Sequence, residues 1–192
     1  MVKKKLKSYK KKVNKVSKNN KLSIKSFFSG ESIVSSSKEA RDLYSQSVFG
    51  EYINEKIHYS LVEALYLVDK GKISVYSKSK KLNFNELIER CNKIDNKILF
   101  KFLVYKDLRN RGYLLKTALK FGADFRVYDK GIRPGKDHSK WLLYCVNESS
   151  EMTWHDFSAK NRVAHSTNKN LLIAVVDSEG GITYYEIAWK RP

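Results

Sequence analysis

The run 171-LLIAVVD-177 limits the possible folds of this chain more than any other stretch. Its six consecutive apolar residues are interrupted by no polar group before Asp177. Such a run is typical of a strand that is buried on both faces. The turn signal Glu179-Gly180-Gly181 follows, and 182-ITYYEIAW-189 predicts a strand that pairs back as a hairpin.

The segments before this run predict the rest of its sheet. Three alternating or apolar segments favour strands, at residues 113–120, 123–128 and 141–146. Thr153 and Asp156 have the spacing of a capping box for a helix that runs to about Ala164. We therefore expect a C-terminal half with a mixed sheet flanked by helices.

The N-terminal half mixes strand and helix patterns. Capping-box pairs at Ser60/Glu63 and Asn83/Glu86 start two helices, and a third, beginning near Asp95, links the halves. Further segments favour small strands at 22–36, a short helix at 38–49 and a strand at 73–77. The prediction is an α+β fold, with an N-terminal α+β domain at residues 29–100 and a C-terminal domain at residues 101–192.

Positive charge is concentrated at the N-terminus. Eleven of the +18 net charges are lysines within residues 1–28, which contain no acid, so the other 164 residues carry +7. So basic a segment predicts a disordered tail. The remaining excess favours a polyanionic partner, nucleic acid or an anionic membrane surface. The competing explanations are solubility and the lysine enrichment of some hyperthermophile proteins.

Several classes of protein are disfavoured by what the sequence contains. Cys91 and Cys145 lie far apart in apolar patterns, which favours two buried thiols over a disulfide or a metal site. Apolar runs long enough for a membrane span are absent from the sequence, as is the apolar core of a signal peptide. We therefore expect an intracellular, cytoplasmic protein without metal or cofactor.

The loop 129–140 is the strongest candidate site by residue type. It carries His138 in the polar setting Lys-Asp-His-Ser-Lys, where an imidazole can exchange a proton near neutral pH, although a plain surface histidine fits as well. His165 is expected to have a structural role. Aromatic residues are interleaved with basic ones in this half, which suits stacking on RNA bases. For Trp154 and Trp189 we expect positions in the core.

Longer motifs resemble the archaeal tRNA-splicing endonucleases. They are 109-RNRGYLLKTALKFGADFRVYDKG-131, 137-DHSKWLL-143, 162-RVAHSTNKNLLIAVVD-177 and 182-ITYYEI-187, with 60-SLVEALYLVDKG-71 and 102-FLVYKDLR-109 in the N-terminal half. The resemblance covers roughly residues 30–192 and is closest to the single-unit form, with one N-terminal and one catalytic domain.

The resemblance implies a catalytic set of Tyr128, His138 and Lys169. It also implies that Arg162 stacks on a flipped bulge base, with a second stacking cation near the C-terminus, for which Lys190 and Arg191 are candidates. The loop that contains Asp177 and Glu179 resembles the acidic loop that inserts into a partner subunit.

The implied reaction is metal-independent cleavage of precursor tRNA at both junctions of a bulge-helix-bulge. A homotetramer is the implied assembly, and an α2β2 complex with a non-catalytic subunit is the alternative. Two rival functions are a non-catalytic RNA-binding or assembly subunit, which the intact set of three residues argues against, and a membrane-surface protein that uses the lysine tail.

Overall fold

The computed structural model describes residues 23–190 and divides the chain into two units between Phe102 and Leu103. The division falls inside helix α4 (Ile98–Asn110), whose pattern suggested a link between the halves. Residues 1–22, which are most of the expected tail, lie outside the described residues. None of the helices within residues 23–190 has the length and apolar content to cross a membrane.

The N-terminal unit is a six-stranded sheet with three helices before α4. In chain order the elements are β1 (Ile24–Ser29), β2 (Ser32–Ser35), α1 (Lys38–Ser47), β3 (Glu51–Ile53), β4 (Lys56–Tyr59), α2 (Leu61–Asp69), β5 (Ile73–Ser77), β6 (Lys80–Lys81) and α3 (Phe84–Ile94). The sheet order is β3-β4-β2-β1-β5-β6. Only β1 and β5 pair in parallel among these strands.

The predicted helix starts of this unit are confirmed. Ser60 and Asn83 cap α2 and α3, and Glu63 and Glu86 complete both capping boxes by accepting from the backbone of the capping residues. Each box satisfies backbone N–H groups that a helix start otherwise leaves unpaired. Four residues of local sequence therefore define each of these helix starts.

The expected boundary of the tail at residue 28 is wrong for residues 24–28. Ile24–Ser29 form β1, at the centre of the sheet, where Ser26 is fully buried. The two sides of this strand differ in burial, as alternating side chains require. Its single lysine, Lys25, lies on the exposed side, so its charge does not prevent the other side from being buried.

The C-terminal unit is a mixed five-stranded sheet with one packed helix. After α4 come β7 (Leu114–Ala118), a 3-10 turn (Leu119–Phe121), β8 (Ala123–Tyr128), β9 (Trp141–Asn147), α5 (Trp154–Ser166), β10 (Asn170–Val176) and β11 (Ile182–Ile187). The order is β11-β10-β9-β8-β7, with β9 and β10 parallel and the other pairs antiparallel. The predicted hairpin of β10 and β11 is confirmed.

Strand β10 is buried on both faces, as its apolar run predicts. Leu171 and Ala174 are fully buried on opposite sides of the strand, and Leu172 and Ile173 are nearly so. One face packs with Leu142 of β9 in the cluster that contains Ala164 of α5. β10 is hydrogen-bonded to the parallel strand β9 on one side and to the antiparallel strand β11 on the other. Both of its ends therefore have fixed positions in the sheet.

Candidate active site

The backbone of one residue, Lys140, joins three strand ends at the same edge of the C-terminal sheet. The backbone N–H of Lys140 donates to the Val127 carbonyl at 2.9 Å, and the Lys140 carbonyl accepts from the N–H of Asn170 at 3.0 Å. Tyr128 follows Val127, and Lys169 precedes Asn170. Neighbouring strands lie about 4.8 Å apart, so the backbones of these two residues are roughly 10 Å apart.

The strand register also gives these residues a common face. Arg126 pairs with Leu142, and Leu142 pairs with Leu171, so all three share the face on which α5 packs. Side chains alternate along a strand, so Tyr128 follows Arg126 onto that face and Lys169 precedes Leu171 onto it. A phenol and two cationic side chains therefore converge beside the end of α5.

Tyr128 is the last residue of β8 and is almost fully buried, with 4% of its surface exposed. Its partner in the register is Leu114 of β7. Packing between two strands limits the side-chain rotamers that are available to it. The phenol is thus held at a fixed position on the sheet edge.

Lys169 is partly buried beside aromatic and polar groups. Its Nζ donates to the Thr167 carbonyl at 2.7 Å and lies 5.7 Å from the centre of the Phe121 ring. Burial, and then the neighbouring charge of Arg126, lower the pKa of Lys169. Burial and a like charge both disfavour the protonated amine. The Lys169 amine is also oriented by its contacts with the Thr167 carbonyl and the Phe121 ring, unlike a freely moving surface lysine.

His138 lies at the far end of the loop between β8 and β9. Two turns shape this loop, closed by hydrogen bonds from Ile132 N–H to Asp129 and from Lys136 N–H to Arg133. The His138 N–H donates to Asp137 Oδ1 at 2.7 Å, and its side chain is exposed. The next residue, Ser139, is buried, and Lys140 is part of the sheet. His138 thus lies two residues before Lys140, whose backbone joins the strand ends carrying Tyr128 and Lys169.

Arg162 is exposed on α5, one turn before the end of the helix. The next turn carries His165, whose ring stacks on Trp189 with centres 5.1 Å apart and planes at 14°. The core positions expected for Trp154 and Trp189 are wrong, because 82% and 38% of their surfaces are exposed. Trp154 is the first residue of α5, and Trp189 follows the end of β11, so neither belongs to an inward-facing row.

The acidic loop after β10 is internally ordered. Asp177 Oδ1 accepts from the backbone N–H groups of Glu179 and Gly181 at 2.7 and 2.8 Å. Glu148 Oε1 accepts from the N–H of Ser178 at 2.6 Å, which brings a third carboxylate to the loop. Glu179 is exposed. The loop therefore presents acidic groups from a rigid turn.

Two residues at these sites, Arg126 and Glu148, were not identified from the sequence. Arg126 stands two residues before Tyr128 in a strand pattern, and this spacing was the available signal. Glu148 reaches the acidic loop through the pairing of β9 with β10, so local sequence carries no sign of it. Within residues 23–190, no group of three or more His, Cys, Asp and Glu residues is arranged to hold a metal ion.

These features define a two-unit α+β protein whose C-terminal sheet presents a phenol, a lysine and an arginine at one edge. Two family models match the chain. The tRNA intron endonuclease N-terminal domain covers residues 24–88, and the tRNA intron endonuclease catalytic C-terminal domain covers residues 98–184.

Curated archaeal relatives named tRNA-splicing endonuclease agree with both models. The protein of Thermococcus onnurineus is 46% identical over 80% of this chain and 88% of its own length. That of Nanoarchaeum equitans is 47% identical over 69% of this chain and 88% of its own, and that of Methanothermobacter thermautotrophicus is 40% identical over 80% and 89%. The chain belongs to the tRNA intron endonuclease family and is an endonuclease with its catalytic domain in the C-terminal part.

Proposed function

We propose that this enzyme cuts precursor tRNA at both exon–intron junctions of a bulge-helix-bulge, leaving 2′,3′-cyclic phosphate and 5′-hydroxyl ends. The observation that carries the proposal is the hydrogen bonding of Lys140 to both neighbouring strands, which brings the ends carrying Tyr128 and Lys169 together two residues after His138. This arrangement offers a proton acceptor, a proton donor and a cation around one phosphate.

Tyr128 acts as the base. Its phenolate takes the proton of the RNA 2′-hydroxyl, and the 2′-oxygen then forms a bond to the adjacent phosphorus. Arg126 and Lys169 are positively charged side chains on the same face of the sheet.

His138 acts as the acid. As the bond between phosphorus and the 5′-oxygen breaks, the imidazolium gives its proton to that oxygen, which leaves as a hydroxyl. The side chain of His138 is exposed, so the leaving oxygen of a bound RNA can reach its ring. Each of the two proton transfers contributes about 10²- to 10⁴-fold in rate.

Lys169 stabilises the negative charge that builds up on the pentavalent phosphate. Preorganised charge is effective because it costs no rearrangement during the reaction. The contact of Lys169 with the Thr167 carbonyl and its position over the Phe121 ring restrict its motion in this way.

Arg162 stacks on the face of a base flipped out of the bulge. A guanidinium on a base plane combines charge with stacking. Lys190 is our candidate for the second cation, because it follows Trp189, whose ring stacks on His165 one turn after Arg162. Arg191 lies outside the described residues.

Two cuts at fixed spacing require two active sites, so the working enzyme is an oligomer. We propose a homotetramer, with an α2β2 complex as the alternative. The acidic loop supports association, since Asp177, Glu179 and Glu148 present negative charge on an otherwise basic protein. A basic surface of a second copy is the complementary partner.

The test uses the purified chain with an intron-bearing precursor tRNA in EDTA. Cuts in both bulges with cyclic-phosphate ends are expected, in a homotetramer measured by light scattering. Cleavage that begins only when a second subunit is added would favour α2β2. Tight RNA binding without cleavage under either condition would contradict the proposal and favour a non-catalytic subunit. The expected location of this reaction is the cytoplasm, because precursor tRNA is an intracellular RNA.

A further inference from the structure

The solvent-facing side of the N-terminal sheet carries a row of side chains that no step of the cleavage chemistry uses. The strand register places one residue of each strand on this row, in sheet order Glu51, His58, Val34, Phe27, Tyr76 and Lys81. The neighbouring residues Ile33 and Ile57 point to the other face and are fully buried. The row therefore lies on the side of the sheet away from the core.

Two aromatic rings occupy the middle of this row. Phe27 has 51% of its surface exposed, although it belongs to the central strand β1. Its ring lies 5.9 Å from that of Tyr76, with the planes tilted by 38°. Aromatic rings presented on a sheet surface are a common platform for unpaired RNA bases, because every base has a face that can stack.

A groove beside Phe27 is large enough for a nucleotide. Its volume is about 410 Å³, within the range of small-ligand sites. Phe27 and Val34 form its apolar part, and Ser29, Ser36 and Asn54 supply hydroxyl and amide groups. Such groups both donate and accept hydrogen bonds, which matches the edges of nucleobases.

The charge around the groove favours an anionic occupant. Lys56 lines the groove, and Lys25 and Lys81 are exposed on the same side of the sheet, where Glu51 is the acid of the row. Residues 1–22 carry ten lysines and no acid, and a single residue, Ser23, separates them from β1 in the sequence. This excess of like charge disfavours the lysine-rich segment itself as the occupant and favours a polyanion.

We propose that this groove binds an unpaired nucleotide of RNA, with the base stacked on Phe27 and a phosphate beside Lys56. The proposal rests on the proposed function only for the identity of that RNA, a precursor tRNA. It gives the N-terminal domain a direct role in holding the substrate, through residues that take no part in bond breaking.

The first test compares Phe27→Ala with Tyr52→Ala in the full-length protein. Tyr52 is an equally exposed aromatic residue of the same sheet, but it pairs with Ile57 on the opposite face and stacks on Tyr44. The probe is a short unstructured oligouridine that carries 5-bromouridine. We expect Phe27→Ala to weaken its binding about tenfold and Tyr52→Ala to leave it unchanged. Photocrosslinks, mapped by mass spectrometry, should fall on the peptides of Phe27 and Tyr76.

Equal affinities of the wild type and Phe27→Ala, with melting curves that show both proteins folded, would overturn the proposal. Crosslinks confined to the C-terminal unit would overturn it as well. If Phe27→Ala changes the oligomeric state in sedimentation and leaves oligouridine binding intact, a second copy occupies this face and the RNA assignment is wrong.

A second variant tests the phosphate contact. Lys56→Ala should reduce the slope of log affinity against log salt by about 1, because one fewer counterion is released. An unchanged slope would overturn that contact. Failure of the proposed function would give a different result from failure of the groove proposal. A protein that binds and crosslinks oligouridine at Phe27 but never cuts precursor tRNA would refute only the cleavage proposal.

Discussion

The two sheets of this protein share a design but differ in which parts are accessible. Each has a parallel pair at or next to its centre, β1 with β5 and β9 with β10. In the C-terminal sheet β10 is buried on both faces, so polar chemistry is confined to the strand ends. In the N-terminal sheet the face with Phe27 is exposed. We infer that the C-terminal sheet acts through the residues at its strand ends and the N-terminal sheet through the residues on its exposed face.

The largest expected effect is a loss of cleavage rate when the proposed acid near the strand ends of the C-terminal sheet is removed. His138→Ala should lower kcat about 10²- to 10⁴-fold through loss of the acid, with little change in the Kd for precursor tRNA. Single-turnover cleavage and filter binding measure the two quantities. Lys136→Ala in the same loop is the control and should retain activity. Equal losses of kcat and affinity would mean that His138 positions the RNA.

The next effect concerns the cation at the same edge. Lys169→Ala should lower kcat about 10²- to 10³-fold, because charge on the transition-state phosphate loses a fixed partner. Lys140→Ala keeps the backbone bonds and removes a surface amine that pairs with Asp129 and lies over the Trp141 ring, so it should change kcat little. Comparable losses in both variants would contradict a special role for Lys169.

The pH dependence tests how Arg126 acts on Lys169. The protonated lysine is the useful form, so activity falls as pH rises through its lowered pKa. Arg126→Gln removes one cause of that lowering, raises the pKa of Lys169 and should shift the alkaline limb of the kcat profile to higher pH. An alkaline limb that stays in place or moves down would show that Lys169 does not control it.

A smaller effect is expected on capture of the bulge. Arg162→Ala should weaken binding of bulged RNA by about 1–3 kcal/mol, because a stacking cation is lost. Arg162→Lys retains the charge without the planar group and should fall between wild type and alanine. Competition binding against a fully paired duplex measures the effect, and equal losses for bulged and paired RNA would contradict stacking.

The smallest effect lies in the N-terminal sheet. Glu55 has φ +62° in the turn of the β3–β4 hairpin, a left-handed conformation that costs most residues about 1–2 kcal/mol. Glu55→Gly should therefore raise the free energy of unfolding by about 1 kcal/mol in urea denaturation. Glu55→Ala removes the same charge but keeps the strain, and an equal gain in both variants would show that charge is responsible.

The same hairpin shows why part of the fold escaped prediction. Helices with capping boxes and strands with continuous apolar runs were predicted correctly because their signals are local. The turn of β3 and β4 uses Asn54 and Glu55, with φ +48° and +62°, where a glycine would have been the recognisable signal. The small strands predicted at 22–36 are present as β1 and β2, but the tail expected at residues 1–28 overlapped the first of them because charge was weighed above alternation.

The candidate site was predictable by residue type but not by arrangement. Motifs identified Tyr128, His138 and Lys169 as a set, and their catalytic roles stay predictions. What brings two of the strand ends together is the pairing of β8, β9 and β10, which no spacing along the chain reveals. The same pairing placed Arg126 beside Lys169, so a residue outside the expected set entered the site through tertiary structure alone.

The hydrogen bonds of Lys140 also have an evolutionary consequence. Because the backbone of this one residue holds the ends of β8 and β10, the spacing of Tyr128 and Lys169 does not depend on the length of residues 131–137. Insertions or deletions near Pro134 would reshape the loop and shift its reach toward RNA while the phenol and the amine kept their separation. The range of RNA substrates can therefore change through this one loop during evolution, while the spacing of Tyr128 and Lys169 stays the same.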